Sequence, residues 1–212
     1  EGAFSFCSSL QQITFESPSQ ITSIESFTFS FCGSLMHINI PSSVTSIGEY
    51  SFQFCGSLNE ITIPLSVTKI ERNAFYWCSS LCKVNIPSSV SYIGKKAFMQ
   101  CPQIEQFEIP TSLKIIEKST FRRCYKLAEI KIPPSVTAIE NNAFMECKSL
   151  LHATIPSSVT SIKDSCFGRC FSLIQVTIPS SVNLIDEFMF CCCSSLTRIT
   201  IPSSVTSIGM NA

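Results

Sequence analysis

The 212 residues would fill one or two globular domains, and an apolar content of 45% is ample for a core. Fifteen basic and fifteen acidic side chains cancel, so no overall field draws the chain to nucleic acid or an anionic membrane, and recognition by charge has to be local. No basic stretch runs into an apolar one as in a secretory leader, and no apolar run approaches the roughly 20 residues of a spanning helix, so this segment is not expected to insert into a membrane.

From the N-terminus onward the chain is organised by proline. Pro18, Pro41, Pro64, Pro87, Pro110, Pro133, Pro156, Pro179 and Pro202 are spaced by 23 residues throughout. A fixed period of this size marks a leucine-rich-repeat solenoid. With proline as position 1, the unit reads P-S-S-V-T-x-I-x-x-x-A-F-x-x-C-x-S-L-x-x-I-x-I. Position 12 is Phe in every turn from Phe4 to Phe190, and position 7 is Ile from Ile24 to Ile208. Glu1 stands at position 9, Glu16-Ser17 is a two-residue insertion before the first proline, and Ala212 stands at position 11. Terminal turns of such arrays carry polar caps, and none is visible. The expectation is a single array of about nine turns over residues 1–212, a fragment of a longer one.

Local structure follows from the pattern inside one unit. Leu58-Asn59-Glu60-Ile61-Thr62-Ile63 ends in period-2 alternation and reads as a short strand, which Pro64 terminates because it has no N–H to donate. Positions 4 to 7, V-T-S-I, form a second extended run. Positions 9 to 15, as in Arg72 to Cys78, place positions 11, 12 and 15 on one helical face, so one or two helical turns are expected there. One unit cannot bury enough surface to hold itself, so stacking is obligatory. The fold class expected is an α/β repeat solenoid: a right-handed, weakly curved superhelix with a parallel sheet on one face and short strands or helical turns on the other. At strand spacing, nine turns make a rod of about 40 Å.

The unit L-x-x-I-x-I-P-S-S-V-T-x-I-x-x-x-A-F-x-x-C resembles the BspA-like leucine-rich repeats, also called the Treponema pallidum type, along the whole chain. Members of that class are typically surface proteins of bacteria and mucosal parasitic protists, implicated in adhesion to host matrix and cells. The resemblance implies a non-enzymatic adhesin or surface antigen at the cell surface or outside the cell, with a host protein or matrix as partner. An intracellular, cytoplasmic interaction scaffold is the alternative. The resemblance transfers no site residues, because the shared motif is the core.

Nothing in the sequence assembles a catalytic or cofactor site. His37 and His152, the only histidines, both hold position 20 five periods apart, about 24 Å along the rod. They cannot share a metal or a substrate. No G-x-S-x-G, phosphate-binding glycine loop or H-E-x-x-H occurs. Nine of the thirteen cysteines, from Cys7 to Cys193, hold position 15 and read as a ladder of buried thiols acting as small hydrophobes. Cys82, Cys166, Cys191 and Cys192 lie off the ladder. The spacing of Cys166, Cys170 and Cys191 to Cys193 is compatible with zinc, but adjacent cysteines diverge along an extended or helical stretch.

Two surfaces stand out as places for a protein partner. Strand residues around positions 20 and 22 point away from the core, and charge gathers there at Lys83, Glu105, Glu108, Glu129 and Lys131, either as a solvated face or as a binding face. Position 14 is Phe6, Phe31, Phe54 and Trp77 in the first four turns, then Gln100, Arg123, Glu146 and Arg169. Because the same position later accepts charge, it is reachable by water. Phe27 and Tyr50 at position 10 would pair with Phe31 and Tyr50's neighbour Phe54 on the same helical face. This ribbon either fills grooves between turns or is a contact surface for a partner or for self-association. Residues 91 to 131 also hold eight Lys/Arg against four Glu, a local excess able to hold a sulfated glycan or an acidic protein.

Overall fold

In the computed structural model, which describes residues 1–212, the chain winds into a parallel-strand solenoid of about nine turns. Two strand ladders run along it. Strands at positions 20 to 22, such as Glu60–Thr62, Lys83–Asn85, Glu129–Lys131 and His152–Thr154, pair one period apart, with Glu60 beside Lys83 and Glu129 beside His152. The second ladder comes from the V-T-S-I run, with Ser23–Ile24, Ser46–Ile47, Lys69–Ile70 and Tyr92–Ile93 in one sheet.

The expected helical turns do not form, and the α/β description gives way to an all-strand solenoid. Positions 9 to 15 instead make a third ladder. The N–H groups at positions 10, 12 and 14 donate sideways to carbonyls at positions 9, 11 and 13 of the next turn, as Phe27 to Glu49, Phe29 to Ser51 and Phe31 to Gln53, all at 2.8–2.9 Å. An N–H directed at the neighbouring turn is not available to the carbonyl four residues back, so no α-helix propagates. Left-handed backbone produces that direction. Every non-glycine residue with positive φ, from Phe6 to Asn211, lies at position 10 or 14, with φ between 53° and 65°. That conformation costs an L-residue about 1–2 kcal/mol, and the lateral hydrogen bonds offset it.

The core is one cluster running the length of the rod. Its spine is the position-12 phenylalanines, which stack turn on turn with centroids 5.2 Å apart at Phe52–Phe75 and 5.5 Å at Phe144–Phe167. Beside them runs the cysteine ladder. Cys55 Sγ donates to Phe29 O at 3.2 Å, Cys78 to Phe52 O at 3.1 Å and Cys101 to Phe75 O at 3.1 Å. Each of these carbonyls also takes the N–H of the cysteine in its own turn, as Cys32 N–H to Phe29 O at 3.2 Å. Position 15 therefore needs a small side chain that can still donate once buried, and a thiol meets both needs. All thirteen cysteines are free.

Candidate functional site

Each strand ladder has a break of its own, between His37–Ile38 and Glu60–Thr62 in the first and between Ser161–Ile162 and Leu184–Ile185 in the second, and at one place both are interrupted together. Residues 105–109 form no strand, and none of their N–H groups donates a hydrogen bond. One turn earlier Cys82 N–H reaches Asn59 O, Ser91 reaches Thr68 and Gly94 reaches Ile70; the equivalent bonds from Glu105, Lys114 and Glu117 are missing. The next turn restores them, with Ala128 to Glu105, Thr137 to Lys114 and Glu140 to Ile116. The turn ladder alone runs through unbroken, by Lys96 to Lys118, Phe98 to Thr120 and Gln100 to Arg122.

Phe107 explains the interruption. Position 21 is Ile, Val or Ala in the other turns, and here a phenyl ring enters the space between two turns. Its edge meets Phe98 with centroids 5.0 Å apart and Phe121 at 4.5 Å. Phe98 and Phe121 are accordingly held 6.1 Å apart, the widest step in the phenylalanine spine.

This seam is flanked by two grooves in the strand face. One, of about 640 Å³, is lined by Lys83, Asn85, Glu105, Phe107 and Glu108. The other, of about 670 Å³, is lined by Glu105, Glu108, Lys126, Glu129 and Lys131. The five charged residues singled out from the sequence are thus brought together around one interruption. Lys126 Nζ approaches Glu105 Oε1 at 3.5 Å, an exposed pair of small energetic weight. Sequence reasoning missed Phe107 and Lys126. The signal for Phe107 was present, since it is the only aromatic residue in the position-21 column.

Phe31, Phe54 and Trp77 lie elsewhere, on the turn ladder, and line neither groove. The pairing expected within one helical face does not occur, because the backbone there is not helical. Rings stack between turns instead: Phe6 on Phe31 and Phe31 on Phe54, both at 4.6 Å, Phe54 on Trp77 at 5.5 Å, and Phe27 on Tyr50 at 4.8 Å. Phe31 and Phe54 are half-buried, while Trp77 is 42% exposed. Past Trp77 the position-14 column turns ionic. Glu146 accepts from Arg123 at 3.1 Å and Arg122 at 3.2 Å. Burial pushes the Glu146 carboxyl up, but the hydrogen bonds and charges of the two arginines outweigh it and hold it below the ordinary range.

No three His, Cys, Asp or Glu side chains come together in a way that could hold a metal ion. The buried position-15 thiols are pushed up by burial, Cys101 to about 12, which disfavours their thiolate form at neutral pH. His37 and His152 are exposed on the strand face in different parts of the rod. No helix is long and apolar enough to cross a membrane.

Known proteins resemble the chain in sequence pattern and in shape. The family profile described as the BspA type leucine-rich repeat region matches in six copies over residues 1–105 and 91–212. The crystal structure of a T. pallidum leucine-rich repeat protein is 33% identical, over 71% of this chain and 72% of that one, with a TM-score of 0.68. A leucine-rich repeat protein from Bacteroides ovatus is 27% identical over the whole of this chain and 66% of its own, with a TM-score of 0.70. A leucine-rich cell surface protein from Faecalibacterium prausnitzii is 28% identical over 97% of this chain and 64% of its own, with a TM-score of 0.60. The chain therefore spans just under two thirds of the length of the latter two. No curated protein matches the sequence.

Proposed function

Because the chain belongs to the BspA-type leucine-rich repeat family, we propose that it is a non-enzymatic binding module of a cell-surface adhesin or surface antigen, directed at a host protein or matrix. Leucine-rich repeats are in general protein-binding scaffolds, and the F. prausnitzii relative is a cell surface protein. The observation that carries the reading is the seam at Phe107. The two grooves that flank it are lined by Lys83, Glu105, Glu108, Glu129 and Lys131, and concave surfaces with fixed polar groups are where repeat scaffolds hold partners. The aromatic ribbon of Phe31, Phe54 and Trp77 is a second contact surface in this proposal, for the same partner or for a second copy of the chain.

The test is binding of the chain to immobilised extracellular-matrix protein and to intact epithelial cells. Saturable binding is expected, together with its loss in Glu105→Lys/Glu108→Lys at unchanged Tm. Equal binding by that variant would remove the strand face from the interface.

A second reading, an intracellular interaction scaffold, draws on the thirteen free thiols, since unpaired cysteines in such number suit a reducing compartment. Antibody labelling of intact cells separates the two: label at the surface supports the adhesin, and label only after permeabilisation supports the scaffold.

A further inference from the structure

The turn ladder carries a second polar surface, away from the strand-face grooves, part of whose charge lacks partners. Position 9 is Arg72, Lys95 and Lys118 in three successive turns. The bonds Asn73 N–H to Lys95 O and Lys96 N–H to Lys118 O, both 3.0 Å, hold these residues one turn apart, about 4.8 Å at strand spacing. Lys96, Arg122 and Arg123 occupy positions 10, 13 and 14 of the same turns. Against them, in those turns, stand Glu71 and Glu117 at position 8, with Glu49 and Glu146 in the turns on either side.

Part of this charge is already engaged. Arg72 lies 3.5 Å from Glu49, hydrogen-bonds the Tyr50 hydroxyl and covers its ring, while Arg122 and Arg123 share Glu146. Lys95, Lys96 and Lys118 are exposed and belong to no ion pair. Ammonium groups set a turn apart on a rigid ladder repel one another, and the repulsion turns to attraction only when an anion bridges them.

We propose that this edge binds a sulfated polysaccharide laid along the rod axis, with Lys95, Lys96 and Lys118 as its sulfate contacts. A linear polyanion matches a row of cations with a regular spacing. Single-stranded nucleic acid would need a row of exposed ring faces for successive bases, and among the rings beside this edge Phe31 and Phe54 are covered by their neighbours, leaving Trp77 alone at the end of the stack. Duplex DNA would need an element that enters a groove, and the turn edge has none. Gln100 and Asn142, half-buried on the neighbouring ladder positions, offer donors and acceptors to sugar hydroxyls. The proposal is independent of any partner on the strand face.

The experiment is chromatography of the chain on immobilised heparin with a salt gradient. The wild type is expected to stay bound at physiological ionic strength, about 0.15 M, and Lys95→Glu/Lys118→Glu to pass through at that salt with unchanged Tm. Lys83→Glu/Lys131→Glu, altered on the strand face, is expected to elute with the wild type. Free heparin should displace the bound chain, and an oligothymidylate at equal charge concentration should not. Passage of the wild type at 0.15 M, retention of the Lys95/Lys118 variant, early elution of the Lys83/Lys131 variant, or displacement by the oligonucleotide would each overturn the assignment.

Discussion

Replacing Phe107 by Ile, the commonest residue of its column, should close the seam. The ring gives up two edge contacts, with Phe98 and Phe121, worth about 0.5–1.5 kcal/mol each. The turns then approach, and the bonds absent at Glu105, Lys114 and Glu117 become available, each worth about 1 kcal/mol. The two sides nearly cancel for the whole molecule, so Tm should move by no more than about 4 °C at this chain length. Locally the effect is large. About 3 kcal/mol of new ladder bonding corresponds to amide exchange slowed roughly a hundredfold. Hydrogen–deuterium exchange read by mass spectrometry on peptides spanning residues 103–117 measures it, with peptides from residues 138–162 as an internal reference. If exchange over 103–117 is as fast in Phe107→Ile as in the wild type, the ring is not what holds the ladders apart.

Other substitutions probe the spine and its edges. Cys78→Ala removes a buried sulfur and its bond to Phe52 O, about 1–2 kcal/mol in all; thermal melts should show a Tm lower by about 5 °C, whereas Cys7→Ala at an exposed ladder position should melt like the wild type. Gly94→Ala places a methyl 2.5 Å from Arg72 N, on backbone that cannot yield, at a cost of about 1–3 kcal/mol; Gly33→Ala, with open space at the same point, is the neutral control in urea unfolding. Glu146 has a folded pKa held below its unfolded value, so its contribution is complete above the unfolded pKa and disappears as pH falls through the folded one. Stability measured from pH 7 down to pH 3 should accordingly drop less in Glu146→Gln than in the wild type, and parallel curves would contradict the assignment.

The period, the inward columns and the existence of two extended runs per unit were legible because each is a one-dimensional pattern, set by proline spacing and by period-2 alternation. The turn segment was misread for a physical reason. Apolar residues at positions 11, 12 and 15 satisfy a helical face and an αL-containing turn equally well. Only the destination of the N–H groups decides between them, and that lies one period away in the chain. Phe27, Tyr50 and Phe54 in left-handed backbone give no warning either, since glycine or asparagine would be the usual occupants. The charged strand residues could be named but not assembled, because the grooves that bring Glu105, Glu108 and Glu129 together join residues of adjacent turns, one period apart in the chain.

The three ladders join equivalent or near-equivalent positions of adjacent turns, and so do the thiol-to-carbonyl bonds and the phenylalanine stack. A turn is therefore bonded to its neighbours through features that every other turn also offers. Gene rearrangement that adds or deletes whole 23-residue units would leave each new junction with the same set of partners as the old, and would lengthen or shorten the molecule without refounding its core. Phe107 departs from that interchangeability: a unit carrying it would bring its wedge between two turns wherever it was copied, so that the position of the seam along the rod is itself a heritable and movable trait.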